Sequence, residues 1–111
     1  MPLAYLCDVL DADGWAHHLT ECAGLFHPAT VYSTQGKAEL ILDTANKGTT
    51  HLLHAAKESG ISRVVYTSST AAIGTSPRGA LKSEQHWNKD TALPYSTAKT
   101  QSERLAWRLA E

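Results

Sequence analysis

The segment Arg63-Val64-Val65-Tyr66-Thr67-Ser68 combines valine, tyrosine and threonine, the residue types that favour a β-strand. A short run of this kind is typical of a buried strand in a parallel sheet. Before it, from Lys37 to Ser59, small and apolar residues recur at spacings of three and four, which predicts a helix. Its predicted inner stripe comprises Ala38, Ile41, Ala45, Gly48, Leu52 and Ala55. Because most of these side chains are small, we expect the helix to lie close against a sheet.

The N-terminal part of the chain follows the same alternation of strand and helix. Leu3–Cys7 is short and apolar and is predicted as a strand. Asp13 is predicted to cap a helix that runs to about Cys22, and Leu25-Phe26-His27 is predicted as the next strand.

The C-terminal part is predicted as a loop from Gly74 to Pro94, followed by a helix from Tyr95 to Ala110. The inner stripe of this last helix is predicted to be Ala98, Ser102, Leu105 and Leu109. The order strand, helix, strand, helix, strand, helix indicates an α/β fold with a parallel sheet.

Composition excludes several classes of partner. The 111 residues carry a formal net charge of -1, so no basic surplus exists for binding nucleic acid. No apolar run approaches the roughly 20 residues that span a bilayer, and no membrane association is expected. Cys7 and Cys22 are interpreted as small buried hydrophobes with free thiols, which suits a reducing, cytoplasmic environment.

Two histidine pairs have helical spacing that could share a metal ion. His18 lies four residues before Cys22, and His51 lies three before His54. A zinc site needs a third or fourth ligand at a usual distance, and neither pair has one. We therefore interpret these residues as half-exposed helix histidines and predict no metal site.

The sharpest chemical pattern is Tyr95-Ser96-Thr97-Ala98-Lys99, with a phenol and an ammonium one helical turn apart. A nearby ammonium favours the phenolate, which lets a tyrosine exchange a proton with an alcohol or carbonyl. The same spacing also occurs by chance on solvated helix surfaces.

A cluster of hydroxyls, Thr67-Ser68-Ser69-Thr70, follows the predicted strand at the end where open α/β sheets bind ligands. These hydroxyls are candidates for substrate or cofactor contacts. The alternative interpretation is that they cap the next turn, as serine and threonine often do.

Taken together, these motifs resemble the extended short-chain dehydrogenases/reductases, and more narrowly their dihydroflavonol-reductase-like members. The segment from Gly60 to Ser69 looks like that family's serine-bearing strand, and Tyr95 to Lys99 looks like its YxxxK signature, 26 residues after Ser69. The remaining similar segments are Cys7–Asp11 with Trp15, Gly24–Thr30, Lys47–Lys57 and Glu84–Trp87.

The resemblance implies a partial Rossmann-like domain over residues 1–111 and a Ser69, Tyr95 and Lys99 catalytic set. It implies that Tyr95 is the general acid/base, that Lys99 assists it and holds the nicotinamide ribose, and that Ser69 bonds the substrate oxygen. Ser68 or Thr70 replaces Ser69 if the register differs by one. The residues implied to contact NAD or NADP are Asp8, Val9, Pro28, Ala29, Thr30, Thr44, Ser68, Tyr95 and Lys99.

The sequence lacks the GxxGxxG turn with which the family begins, and a C-terminal substrate region. We therefore expect a piece of a longer enzyme, with three strands equivalent to strands 3, 4 and 5 of the Rossmann order and an unpaired sheet edge prone to association. The implied function is hydride transfer between the cofactor and a small carbonyl or alcohol. Sugar epimerase, dehydratase or hydroxysteroid dehydrogenase activity, and a non-catalytic remnant, remain alternatives. The resemblance also implies a homodimer of the full-length parent.

Overall fold

The structure, a computed structural model, describes residues 7–28 and 37–111, and helices alternate with strands along them. The elements are α1 (Ala12–His18), β1 (Leu25–His27), α2 (Ala38–Glu58), β2 (Val64–Tyr66), a single 3-10 turn (Thr70–Ala72) and α3 (Pro94–Ala110). β1 and β2 pair in parallel, with Leu25 opposite Val64 and His27 opposite Tyr66. The α/β fold with a parallel sheet is therefore confirmed. The predicted strand Leu3–Cys7 lies outside the described residues except for Cys7, which is not in a strand.

The two faces of this sheet differ in exposure. Side chains alternate along a strand, so His27 and Tyr66 share one face, and Tyr66 is hydrogen-bonded there to Ser102 of α3. On the other face Phe26 is 77% exposed and Val65 is 52% exposed. The prediction that the strand at Arg63–Ser68, observed as β2, is buried is therefore wrong for Val65. β2 is also shorter than predicted, since it ends at Tyr66, although Thr67 N still donates a hydrogen bond to the His27 carbonyl at 3.1 Å.

The long helix α2 forms the centre of the core. Ile41, Gly48, Leu52 and Ala55 of its predicted stripe are buried, and so are Thr49, Leu53 and Ala56 beside them. The buried band is wider than a single stripe because α2 packs against both α1 and α3. Ala38 was predicted to be buried but is exposed at the first position of α2, and Ala45 is only half-buried.

Gly48 of α2 packs closely as predicted, although its partner is the turn at Asp8–Asp11 rather than the sheet. A Cβ at Gly48 would lie 3.3 Å from Val9 Cβ. The same turn is tied to α2 by the carbonyl of Val9, which lies 3.3 Å from His51 Nδ1. The small residue thus fixes the N-terminal turn against the core.

The short helix α1 begins two residues earlier than predicted. Asp11, and not Asp13, is its N-cap, because Asp11 Oδ1 accepts a hydrogen bond from Gly14 N at 3.1 Å. The helix ends at His18, before Cys22, with Leu19 buried behind it. Cys22 is exposed and Cys7 is partly buried, so the interpretation of both as buried hydrophobes is wrong for Cys22.

Helix α3 begins with Pro94 in its first turn, where a missing N–H costs little. Ala98 and Ser102 are buried as predicted, whereas Leu105 and Leu109 are only half-buried. Within residues 7–28 and 37–111, no helix has the length and apolar character that crossing a membrane requires.

Candidate active site

Helix α3 is fastened to the carboxyl end of β2 by three consecutive contacts. They join Tyr66 Oη to Ser102 Oγ at 2.5 Å, Lys99 Nζ to the Thr67 carbonyl at 2.8 Å, and Ser68 Oγ to Glu103 Oε2 at 2.5 Å. Residues three and four apart on a helix lie on neighbouring positions of one face, so a single turn of α3 supplies all three partners. Three successive residues at the end of β2 therefore each contact α3, which fixes the position of the helix relative to the strand.

Lys99 lies inside this junction, with only 3% of its surface exposed. Its ammonium donates one hydrogen bond to the Thr67 carbonyl and lies 5.1 Å from the centroid of the Tyr66 ring. Burial lowers the pKa of Lys99, and the nearby Glu103 carboxylate opposes that effect. An ammonium has three N–H donors, so the contact with Thr67 leaves further donors for a ligand.

A cleft of about 340 Å³ opens beside the junction. Its lining residues are Ser68, Ser69, Thr70, Ile73, Glu84, His86 and Glu103. Of the predicted hydroxyl cluster, Ser68, Ser69 and Thr70 border this cavity, and Thr67 does not. Glu84 and His86, from the family-like segment Glu84–Trp87, also line it. Trp87 of the same segment stacks against Arg104, with 4.7 Å from the guanidinium carbon to the ring centroid.

The two serines of this cleft have different hydrogen-bonding commitments. Ser68 donates its proton to Glu103. Ser69 Oγ accepts from Ala71 N at 3.1 Å and caps the 3-10 turn, which is the capping alternative considered from the sequence. Because a hydroxyl has one donor in addition to its lone pairs, Ser69 keeps a proton that it can donate into the cleft.

Tyr95 lies in the first turn of α3 and is half-buried. It precedes Lys99 by four residues on a continuous helix, so the two residues lie on one helical face. Neither of them lines the cleft, but Glu103, one turn beyond Lys99, does. The structure thus brings together Lys99 with Thr67, and Ser68 with Ser69, along one strand end.

Besides Ser68, Tyr95 and Lys99, the residues expected to contact the cofactor are spread over three segments. Asp8 is exposed, its Oδ1 accepts from Leu10 N at 2.9 Å, and its carbonyl accepts from Trp15 Nε1 at 2.8 Å. Val9 is half-buried against Gly48, and Thr44 is half-buried one helical turn before that glycine.

The remaining expected cofactor contacts follow β1. Pro28 is exposed directly after that strand. Ala29 and Thr30 lie outside the described residues.

His27 is a buried neighbour of the Tyr66 and Lys99 junction that the sequence reasoning missed. It is 2% exposed, its ring meets the Tyr66 ring edge-on with 5.3 Å between centroids, and within the described part of the chain neither of its ring nitrogens has a hydrogen-bond partner. Burial first, and then the nearby Lys99 ammonium, lower the pKa of His27 to about 4. The imidazole is therefore neutral at physiological pH.

Glu103 and Tyr66 were also missed, although each carried a signal. Glu103 follows Lys99 by four residues and therefore shares its helical face. Tyr66 lies two residues before Ser68 on a strand, which places the two side chains on the same side of the backbone. Hydroxyl and carboxylate partners on separate elements become visible only once the elements are packed.

The two pairs considered as metal ligands, His18 with Cys22 and His51 with His54, make other contacts. Cys22 Sγ lies 3.6 Å from the backbone carbonyl of His18, and His51 meets the Val9 carbonyl. Among residues 7–28 and 37–111, no three histidine, cysteine, aspartate or glutamate side chains come together as a metal site would require.

Comparison with known proteins gives matches over nearly the whole chain. The model of the 3-beta hydroxysteroid dehydrogenase/isomerase family matches residues 3–108. A Synechocystis sp. protein named "Putative dihydroflavonol 4-reductase" is 32% identical over 114 residues, covering 100% of this chain and 33% of that protein. Cinnamoyl-CoA reductase 2 of Medicago truncatula is 30% identical over 112 residues, covering 94% of this chain and 33% of the relative.

A solved structure matches with similar extent. The dTDP-glucose 4,6-dehydratase of Streptomyces venezuelae, crystallised with NAD bound, superimposes with a TM-score of 0.79 at 25% identity, covering 89% of this chain and 31% of that one. The chain thus spans about a third of the length of the curated relatives that it matches.

Proposed function

The chain belongs to the 3-beta hydroxysteroid dehydrogenase/isomerase family, and from that membership we propose that its protein is an NAD(P)-dependent oxidoreductase. The proposed reaction is hydride transfer between a nicotinamide cofactor and a small carbonyl or alcohol substrate. The observation that carries the proposal is the buried Lys99 ammonium at the carboxyl end of β2, one turn after Tyr95 and beside a serine-lined cleft. Reductases among the curated relatives, at 30 to 32% identity, support this reaction over others.

In this proposal Tyr95 is the general acid/base. It donates a proton to the oxygen of a carbonyl substrate as that oxygen gains charge, and takes it back in the reverse direction. Lys99 is proposed to stabilise the phenolate electrostatically. Its hydrogen bond to the Thr67 carbonyl supports that role because it holds the ammonium in one position.

Ser69 is proposed to donate its proton to the substrate oxygen. Its lone pair is engaged by Ala71 N, which orients the hydroxyl, and its proton is uncommitted. Ser68 is the poorer candidate for this donation because its proton is directed to Glu103. Ser68 is instead proposed to contact the cofactor, for which its oxygen remains an acceptor.

The residues present fit part of a nicotinamide dinucleotide. Lys99 has further N–H donors suited to ribose hydroxyls, and the exposed Asp8 carboxylate with Val9 beside it suits an adenosine end. Pro28, Ala29, Thr30 and Thr44 are proposed as further cofactor contacts, as the family resemblance implies. The bound nicotinamide would supply or accept the hydride. Since the sequence holds no GxxGxxG turn, the pyrophosphate contacts are not assigned to it.

The experiment measures the absorbance of NADH and NADPH at 340 nm during turnover with a panel of carbonyl compounds, using the protein as its gene encodes it. We expect Tyr95→Phe to lower kcat/KM by roughly 10²- to 10⁴-fold, the range for losing a general acid/base. Lys99→Met and Ser69→Ala are expected to lower it as well. Lys57→Met and Ser62→Ala, at exposed positions, are the matched controls and should retain activity.

Retention of activity by Tyr95→Phe would contradict the assignment of the acid/base. A second function, sugar epimerisation or dehydration, draws support from the dehydratase structure, and conversion of a nucleotide sugar without net cofactor consumption would favour it. Failure to bind either cofactor in calorimetry would favour a non-catalytic protein. For the 111-residue chain alone we expect weak binding at most, because it supplies only part of the site.

A further inference from the structure

The side chain of Tyr66 interacts with residues of three elements, β1, α2 and α3. Its ring meets His27 of β1 edge-on, its hydroxyl lies 2.5 Å from Ser102 Oγ of α3, and Thr49 of α2 hydrogen-bonds the same hydroxyl. Ser102 and Thr49 are 0% and 1% exposed. The tyrosine is therefore held from three elements, and its ring has one orientation relative to α3.

The face of that ring is turned toward Lys99. The distance of 5.1 Å from Lys99 Nζ to the ring centroid lies within the roughly 6 Å over which a cation is attracted by an aromatic face. The attraction strengthens when the pair is desolvated, and Lys99 is 3% exposed. Together with the Thr67 carbonyl, the ring gives the ammonium two contacts from consecutive residues of one strand end.

We propose that Tyr66 is a positioning residue for Lys99, its ring and the Thr67 carbonyl jointly fixing the ammonium at the carboxyl end of β2. The inference rests on the function proposed above for Lys99 and adds a determinant of that function. The hydroxyl of Tyr66 anchors the ring through Ser102 and Thr49, while the ring itself contacts the charge. Thus the two parts of the side chain have separable roles.

The groups that bear on the charge of Lys99 come from each neighbouring element. On α3 this is Glu103, which favours the ammonium, and Tyr95 lies one turn before Lys99 on the same helix. On β1 the imidazole of His27 is near, and on β2 the phenol of Tyr66. From α2 the uncharged hydroxyl of Thr49 faces the tyrosine. Any titration of Lys99 is compared between variants that leave the other groups in place.

The direct test is the NMR spectrum of the unmodified protein. Protons held over an aromatic face resonate upfield, so we expect the ε-methylene protons of Lys99 to lie upfield of those of the other lysines. The Lys99→Met variant assigns the signal by removing it. This measurement needs no turnover. It therefore tests whether the Tyr66 ring contacts Lys99 independently of whether the proposed enzymatic function is correct.

Substitution then separates ring from hydroxyl. Tyr66→Leu removes the face, so we expect the pKa of Lys99 to fall further and kcat/KM to drop roughly 2- to 30-fold, the range of a cation–π contact. Tyr66→Phe keeps the face and should preserve the Lys99 titration while lowering stability, since Ser102 and Thr49 lose a partner. Val65→Ala, on the opposite and exposed face of β2, is the matched control.

Three results would overturn the inference. One is an ordinary chemical shift for the Lys99 ε-methylene in the folded protein. Another is a Tyr66→Leu variant that titrates and turns over as the unmodified protein does. The third is a Tyr66→Phe variant whose Lys99 titration matches that of Tyr66→Leu. If Tyr66→Leu fails to fold, the chemical shift in the unmodified protein decides the question.

Discussion

The buried imidazole of His27 makes stability depend on pH in a defined direction. Burial and the Lys99 ammonium hold its pKa at about 4 in the folded chain, against 6.5 for an ordinary histidine. The unfolded chain therefore binds a proton at a higher pH than the folded chain does. Stability is fully present above about pH 6.5 and is lost as the pH falls toward 4.

The magnitude follows from the difference between the two pKa values. Each unit of pKa difference corresponds to 1.36 kcal/mol of free energy. A histidine whose pKa is about 4 in the folded chain and 6.5 in the unfolded chain therefore lowers the free energy of unfolding by about 3 kcal/mol once the pH is below both values. At pH 5 the loss is about 2 kcal/mol, because the folded imidazole is still mostly neutral there. This is a large fraction of the stability of a small domain.

The assay is urea unfolding followed by tryptophan fluorescence at pH 7 and pH 5, at one protein concentration. His27→Phe keeps an aromatic ring and removes the titration, so we expect its loss between the two pH values to be smaller by about 2 kcal/mol. The His27→Phe substitution also removes two buried ring nitrogens that have no hydrogen-bond partner among the described residues. Since no hydrogen bond among these residues is lost, we do not expect the substitution to lower stability at pH 7 through hydrogen bonding. His54→Gln, at an exposed position on α2, is the matched control and should behave as the unmodified chain.

If the free energy of unfolding fell by the same amount between pH 7 and pH 5 in the unmodified chain and in His27→Phe, the reasoning would be refuted. That result would mean that the folded chain accepts a proton on His27 without penalty, through a water or a movement of Lys99. A larger acid loss in His27→Phe would contradict the sign of the linkage. An effect of equal size in His54→Gln would assign the pH dependence to histidines in general.

Three further outcomes are expected. Gly74→Ala, with φ at +87° and its new Cβ 2.8 Å from the Asn88 side chain, should lower the free energy of unfolding by about 1–2 kcal/mol, and by more than Gly79→Ala, whose φ is +83° but whose surroundings are open. Asp11→Ala should cost about 1 kcal/mol and speed hydrogen exchange of the first α1 amides, since it removes the N-cap. Phe26→Lys should reduce self-association in sedimentation velocity, because Phe26 is an exposed apolar side chain on the open sheet face.

The alternation of elements could be predicted because each element has its own local signal. The valines of β2 and the spacing of three and four in α2 are properties of short stretches. The structure has both elements inside the predicted ranges, α2 over nearly the full length and β2 over half of it. Asp11 and Asp13 show the limit of such signals. Either aspartate satisfies the N-cap preference, and the choice depends on whether the preceding turn can present its carboxylate to Gly14 N.

Exposure was predicted less well because it depends on what packs against each element. Val65 reads as a buried strand residue, yet burial of its face needs a layer on the far side of the sheet, and that face is open in the described residues. Cys22 is a residue type that is usually buried, but it falls after α1 has ended. Neither outcome is encoded in the residues themselves.

The hydrogen bonds along α3 explain how the proposed chemistry depends on packing far from the acid/base itself. Glu103 accepts from Ser68 with one carboxylate oxygen and from Trp107 Nε1 at 3.2 Å with the other, so its rotation is fixed from both sides. A fixed Glu103 determines which of the adjacent serines has a free proton, and it also stabilises the ammonium of Lys99 one turn earlier. Because these groups share one helical face, a displacement of α3 along β2 would alter the serine, the lysine and the tyrosine together. The catalytic set proposed here therefore depends on the register between α3 and β2 as well as on the identity of three side chains.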